Sequence, residues 1–259
     1  MKCLLVSDLH YALKQFDWTL GMAPHFDVVI IAGDHLDISG HVDGRTQSIV
    51  ILKYLRHLHE KVRWLIVSSG NHDLDSHDAA GEKVARWIGK VRELGAATDG
   101  DCVDADGMMF TVCPWWDGPV GRDAVGELLR RDAGKERKTW VWVYHAPPDA
   151  SPTSIVGGRD QGDPDLRRWI AEFSPDIVLA GHIHESPFCK DGSWVDRIGS
   201  TWVFNAGRQI GPVPTHVMFD TEHMQALWHS LAGTEITRLD APLQRPVPEL
   251  TAWPEWLRS

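Results

Sequence analysis

Val62–Asp73 reads VRWLIVSSGNHD: a short apolar run, a stop at Ser-Ser-Gly, then three polar side chains, Asn71, His72 and Asp73. The run is too short for a helix, rich in branched residues and closed by glycine, so it reads as a buried strand. The same layout occurs elsewhere. Lys2–Val6 leads into Asp8-Leu9-His10, and Asp27–Ala32 into Gly33-Asp34. Thr139–Tyr144 leads into His145, and Asp176–Ala180 into Gly181-His182-Ile183-His184. In open α/β sheets ligands bind beyond the carboxyl ends of the strands. Five polar clusters at five strand ends are therefore expected to meet in space.

Working outward, Met108–Val112 reads as a further strand, running through Cys113-Pro114 to Trp115-Trp116. Helical spacing fills the gaps. In Ser48–Leu58 the apolar residues Ile49, Leu52, Leu55 and Leu58 are expected to share one face. Glu82–Leu94, Asp123–Arg131 and Pro164–Phe173 read as helices too, the last with Pro164 in its first turn after a capping Asp163. Beyond Ala180 short strands follow one another: Trp194–Ile198, Thr201–Asn205, Thr215–Phe219 and Met224–His229, with turns at Lys190–Gly192 and Thr221–His223. An α/β first part followed by an antiparallel last part implies two facing sheets with helices outside. Residues 1–239 are expected to form this domain. The segment 240–259, with Pro242, Pro246, Pro248 and Pro254, reads as an irregular tail packed on it through Trp253 and Trp256.

The 259 residues carry a net charge of -10, which disfavours a broad nucleic-acid or anionic-membrane footprint. None of the four cysteines forms a C-x-x-C pair, and three lie in strand-like runs, so reduced thiols in a reducing compartment are expected. No apolar run approaches the ~20 residues of a membrane span, and Met1 leads directly into a strand with no secretory layout before it. A cytoplasmic protein without a membrane segment is the expectation.

Carboxylates and imidazoles are the usual oxygen and nitrogen donors for Mn, Fe, Zn and similar ions, and D-x-H and H-x-H place two side chains on one side of an extended segment. Glycine before each donor allows a sharp turn or close backbone approach. Two divalent cations set against Asp8, Asp34 and a bridging hydroxide leave a centre of about +1, suited to attracting a phosphate anion.

Taken in order, D-x-H, G-D, G-N-H-D, H and G-H-x-H over residues 1 to about 207 resemble the calcineurin-like metallophosphoesterase superfamily. The resemblance implies a four-layer αββα sandwich of two facing mixed sheets. It implies one divalent cation on Asp8, His10, Asp34 and His184, and a second on Asp34, Asn71, His145 and His182, with Asp34 bridging. A bridging hydroxide would attack phosphorus. His72 would stabilise the phosphoryl oxygens or protonate the leaving group, with Asp73 orienting its imidazole. The implied substrate is a small-molecule phosphodiester or phosphomonoester, and G-N-H-D rather than G-N-H-E leans towards diesters. G-H-I-H-E followed by N-A-G is similar, over a short stretch, to class III cyclic-nucleotide phosphodiesterases.

Candidate substrate contacts are Arg159, in the long loop after His145, together with Arg208, Trp115 and Trp116. Asp37 is a candidate for the surroundings of the metal site. The alternatives are a nuclease, a nucleotide-sugar pyrophosphohydrolase, and a non-catalytic scaffold such as the retromer subunit of this superfamily. The acidic composition without a basic insert counts against the first two. The third characteristically loses ligands, or the histidine matching His72, that this chain keeps.

Overall fold

In a computed structural model describing residues 1–257, two mixed sheets carry the chain. At the centre of the first, Lys2–Val6 pairs parallel with Val28–Ala32, which pairs parallel with Trp64–Ser68 and then Ala97–Thr98. On its other side Lys2–Val6 pairs antiparallel with His216–Asp220, followed by Gln225–Ser230 and Gly233–Arg238. In the second sheet Met108–Val112, Thr139–Val143, Ile177–Ala180 and Thr201–Asn205 run parallel, with Cys102–Ala105 and Val195–Ile198 antiparallel at the two edges.

Alternation along each strand decides the layers. Cys3 and Leu5, Val28 and Ile30 point one way, against Phe110, Val141, Val143, Leu179 and Phe204 of the second sheet, and form the core between the sheets. Leu4, Val6, Val29 and Ile31 point the other way, onto Phe16, Ile51 and Leu55 of the helices Leu13–Met22 and Gly44–His59. Trp140, Trp142 and Val178 likewise meet Val125, Leu129 and Leu166 of the helices Pro119–Ala133 and Pro164–Phe173. Helix, sheet, sheet and helix make the four-layer αββα sandwich. Each fully buried Leu or Ile in it contributes roughly 1.5–3 kcal/mol.

Pro164–Phe173 forms with the expected ends, and the Asp163 carboxylate accepts from the N–H groups of Asp165 and Leu166. Other details differ from the sequence reading. The buried face of Gly44–His59 is Ile51, Leu55 and Leu58, while Ile49 is 50% exposed. The helix expected over Glu82–Leu94 is instead the strand Lys83–Val84 followed by a 3-10 helix, Arg86–Leu94. Asp75 accepts from the backbone N–H of Arg86, which starts the helix there. Leu13–Met22 and Gly233–Arg238 were not anticipated.

Beyond Asp240 the chain stays on the domain. Ile236 donates to the Pro248 carbonyl, Leu250 donates to that of Thr234, and Trp256 is buried with its indole N–H on Gln225. Trp253 is half exposed. The end of the expected tail, 258–259, lies outside the described residues. Among the described residues no helix is long and apolar enough to cross a membrane, and the four cysteines are free.

Candidate metal centre

All five polar clusters lie beyond the carboxyl ends of their strands, and hydrogen bonds between the loops draw them together. Asp8 N–H donates to the Gly33 carbonyl and His10 N–H to that of Asp34, joining the first two loops. Gly181 N–H donates to the His145 carbonyl, joining the last two. His182 N–H then reaches across to both oxygens of Asp8, at 3.1 and 3.0 Å, which ties the two sheets together at the site.

Such close approach depends on particular glycines. A Cβ on Gly70 would stand 2.2 Å from Asp34 Oδ1, and one on Gly181 would stand 2.3 Å from Asp8 Oδ2, so any side chain there would displace a carboxylate. The donors themselves occupy left-handed backbone: Asp8, His10, Asp34 and His182 have φ of 54°, 41°, 53° and 64°. Such conformations cost of order 1–3 kcal/mol each. The loop hydrogen bonds hold them.

Asp8, His10, Asp34 and His184 form one set of potential ligand atoms within 4.8 Å of one another, and Asp34, His145 and His182 form a second that shares Asp34. His184 Nε2 stands 3.2 Å from Asp8 Oδ1 and 3.1 Å from His10 Nε2. His145 Nε2 is 3.4 Å from Asp34 Oδ1. His145 Nδ1 donates to the Ala32 carbonyl at 2.7 Å, leaving Nε2 to face the carboxylates. Asn71 Oδ1 is buried and accepts no hydrogen bond.

The electrostatics call for a cation. Asp8 and Asp34 are buried, and no Lys or Arg pairs with either among the described residues. Burial alone would raise the Asp8 pKa, but the His184 hydrogen bond and the His145 field outweigh it and hold the carboxyl below its ordinary value. Burial is likewise overcome at Asp34 by the field and hydrogen bond of His145 and by the His72 N–H, leaving its pKa well below the carboxylate range. His145 shows the complement. Its burial favours the neutral ring, yet Asp34 and Asp8 push its pKa up to about 9. Burial lowers His10 and His182 to about 4, against the opposing pull of Asp34 and Asp8. The neutral imidazoles of His10 and His182 facing ionised carboxylates are donors for divalent cations, and a bound cation would displace the proton that those carboxylates otherwise hold on His145. The buried Asn71 Oδ1, without a partner, fits the same group.

His72 lies beside the cluster. Its backbone N–H donates to Asp34 Oδ1 at 2.8 Å, its Nε2 is 3.9 Å from Asp34 Oδ2, and its ring packs edge-on to His10 at 4.5 Å. The expected Asp73–His72 contact does not form. Asp73 is fully buried and accepts from the N–H groups of Gly70, His35 and Leu36 and from His35 Nδ1. It clamps the loop after Val28–Ala32 to the loop after Trp64–Ser68. Besides Asp34, His72 acts on Asp37: after the Ser39 hydrogen bond, the His10 and His72 fields help lower its pKa.

The substrate candidates separate. The Trp115 ring lies 5.1 Å from that of His182 and 5.5 Å from that of His145, on the second donor set. Arg208 donates its backbone N–H to the His184 carbonyl, and its charge helps depress His10. Trp116 is half-buried against the core beside Pro119–Ala133 and donates to the Tyr144 hydroxyl at 2.7 Å. Arg159 is exposed in a two-stranded hairpin, paired with Val156, and among the described residues nothing links it to the cluster. Its loop folds on itself instead, with Asp160 accepting from Ser154 and Gly162. Sequence reasoning missed Ser69 and Asp99. Ser69 Oγ accepts from Trp115 N–H and its own N–H donates to Asp99, whose pKa burial raises to about 7. The pair fixes the backbone of Trp115. The only sequence signal was the serine directly before G-N-H-D.

The sequence model of the calcineurin-like phosphoesterases matches residues 1–186, the stretch containing both donor sets. The chain belongs to this family. The family is metal-dependent, and membership implies a phosphoester hydrolase. The calcineurin-like fold is also found in TT1561 of Thermus thermophilus, at a TM-score of 0.58 and 14% identity, covering 92% of this chain and 98% of that one. Phosphopantetheinyl Hydrolase (PptH) from Mycobacterium tuberculosis gives a TM-score of 0.53 at 14% identity, covering 80% of this chain and 88% of that one. At these identities the likeness is one of fold. No curated protein matches the chain in sequence.

Proposed function

We propose that this calcineurin-like phosphoesterase hydrolyses a small-molecule phosphodiester or phosphomonoester with two divalent cations, Mn, Fe, Zn or similar. One would be held by Asp8, His10, Asp34 and His184, the other by Asp34, Asn71, His145 and His182. The carrying observation is that two donor sets converge on one shared, buried carboxylate, Asp34. When bound, such ions act as Lewis acids towards phosphoryl oxygens and lower the pKa of water.

The chain's own residues supply the rest. A water oxygen attacks phosphorus, the bond from phosphorus to the leaving oxygen breaks, and His72 delivers the proton that this oxygen takes up. His72 suits that task because its side chain is 23% exposed at the edge of the cluster, where a substrate can reach it. Arg208 binds the phosphoryl oxygens from the His10 side, and Trp115 covers His145 and His182 against water. Asp73 keeps the loop carrying Asn71 and His72 in place. The G-N-H-D motif favours diesters over monoesters, and the acidic surface favours small substrates over nucleic acid. The free cysteines fit a cytoplasmic setting.

The test is turnover by purified protein in Mn2+ across phosphomonoesters, phosphodiesters and cyclic nucleotides. Hydrolysis of at least one class by the metal-loaded protein is expected. No turnover of any class with the metals bound would remove the catalytic reading and leave the scaffold.

A further inference from the structure

His72 also forms part of the wall of a groove of about 770 Å3 that runs between the loop following Asp34 and the 3-10 helix Arg86–Leu94. Its lining has two characters. Ile38 and Val42 present apolar side chains that are 71% and 39% exposed, and the buried Trp87 contributes to the same lining. Solvated apolar side chains grouped in a groove beside a reacting centre favour an apolar ligand segment.

The other character is cationic. Arg45, Arg86 and Lys90 line the groove together with Asp37, Asp43 and Asp75, so its formal charge balances apart from His72. The two signs are not equally available. Asp37 accepts from Ser39 N–H and Oγ, and Asp43 accepts from Thr46 N–H and Oγ1 as the cap of Gly44–His59. Asp75 accepts from the backbone of Arg86 and Trp87. Each carboxylate thus already accepts hydrogen bonds from the protein. Among the cations Arg86 spends one N–H on the His77 carbonyl, while Arg45 and Lys90 have no acidic partner among the described residues. Two cations without an acidic partner in the same groove as His72 suit a second negative charge.

Building on the phosphoesterase reading, we infer that the groove holds the leaving half of the substrate. That half is an alcohol with an apolar segment next to the scissile ester and a second anionic group beyond it, placed on Arg45 and Lys90. Hydrolysis consumes one water. Its oxygen joins phosphorus, the phosphorus bond to the leaving alcohol breaks, and the alcohol departs with a proton from His72.

A matched pair of esters tests this: octyl phosphate, and the same ester with a terminal carboxylate. Wild type loaded with Mn2+ should favour the carboxylate ester by about tenfold in kcat/KM. The preference should shrink as salt rises. Arg45→Glu with Lys90→Glu should bring the ratio to one or below, and Arg45→Lys should keep it. The ratio is internally controlled, since a general folding defect lowers both numbers and leaves it unchanged. Calorimetry gives an arm independent of turnover. The ω-hydroxy carboxylate product should bind metal-loaded wild type about tenfold more tightly than the corresponding diol, and the double variant should lose that difference. Equal handling of the two esters, or equal binding of hydroxy acid and diol, overturns the inference while leaving the phosphoesterase intact. If wild type hydrolyses neither ester, nor 4-nitrophenyl phosphate, nor the diester bis(4-nitrophenyl) phosphate, the phosphoesterase reading fails instead, and calorimetry alone decides the groove.

Discussion

Replacing Asp73 by Asn separates a structural clamp from a catalytic orienter. One Asp73 oxygen accepts from the N–H groups of His35 and Leu36, at 3.0 and 3.2 Å; the other accepts from Gly70 N–H at 2.9 Å and His35 Nδ1 at 3.0 Å. Asn can reproduce one oxygen only. Its amide NH2 then faces two donors that are buried from water. Leaving a buried donor unsatisfied costs about 1–3 kcal/mol, and hydrogen bonds to a charged acceptor are worth about 1.5–3 kcal/mol each, so we expect a loss of roughly 3–5 kcal/mol. For a domain of this size that corresponds to a fall in Tm of about 10 °C. Urea denaturation of the chelator-stripped protein measures it without metal contributions. Turnover should fall only as far as the loop carrying Asn71 and His72 loosens, with metal affinity falling alongside. Stability within about 1 kcal/mol of wild type, together with a large loss of kcat at full metal occupancy, would refute the clamp. It would return Asp73 to the orienting role first read from sequence.

His72→Ala should keep both metals and slow turnover by roughly 10²–10⁴-fold, more for alkyl than for nitrophenyl esters, since only the former need a proton on leaving; lost metal on elemental analysis would make His72 a ligand. His216 reports on acid sensitivity at a group outside both donor sets. Burial lowers its pKa from 6.5 to about 4, so it is neutral when folded, and its contribution is present above the unfolded pKa and lost as pH falls from 6.5 towards 4. His216→Phe should therefore remove up to about 3 kcal/mol of the stability change between pH 7 and pH 4.5 in the metal-free protein. Denaturation midpoints that shift equally in both proteins would contradict this.

The legible part of the molecule was the part written in adjacent residues. Strand, glycine and donor follow one another at Val62–Asp73 and at Asp176–His184, so the strand ends and the donors could be read together. Partnerships across the chain could not. Asp73 sits next to His72 in sequence, but the 3-10 turn Asn71–Asp73 points the two side chains apart, and the partner of Asp73 is His35. Arg159 looked placed for substrate because its loop starts at the site, yet Gly157 and Gly158 at positive φ turn that loop back as a hairpin. Glu82–Leu94 has helical spacing from Val84 onward, but the pairing of Lys83 with His77 takes its first residues into a hairpin. Leu13–Met22 carries no side-chain cap, so no start signal marks it in the sequence.

The most direct test of two cations on a shared Asp34 is stoichiometry. Chelator-stripped protein should be titrated with Mn2+, following bound metal by equilibrium dialysis and hydrolysis of bis(4-nitrophenyl) phosphate in parallel, for wild type and Asp34→Asn. The account predicts two equivalents in wild type, with activity appearing as the second is bound, and both affinities weakened in Asp34→Asn because each donor set loses the same carboxylate. Full hydrolysis without metal, or an Asp34→Asn protein that binds two equivalents with wild-type affinity, would contradict it.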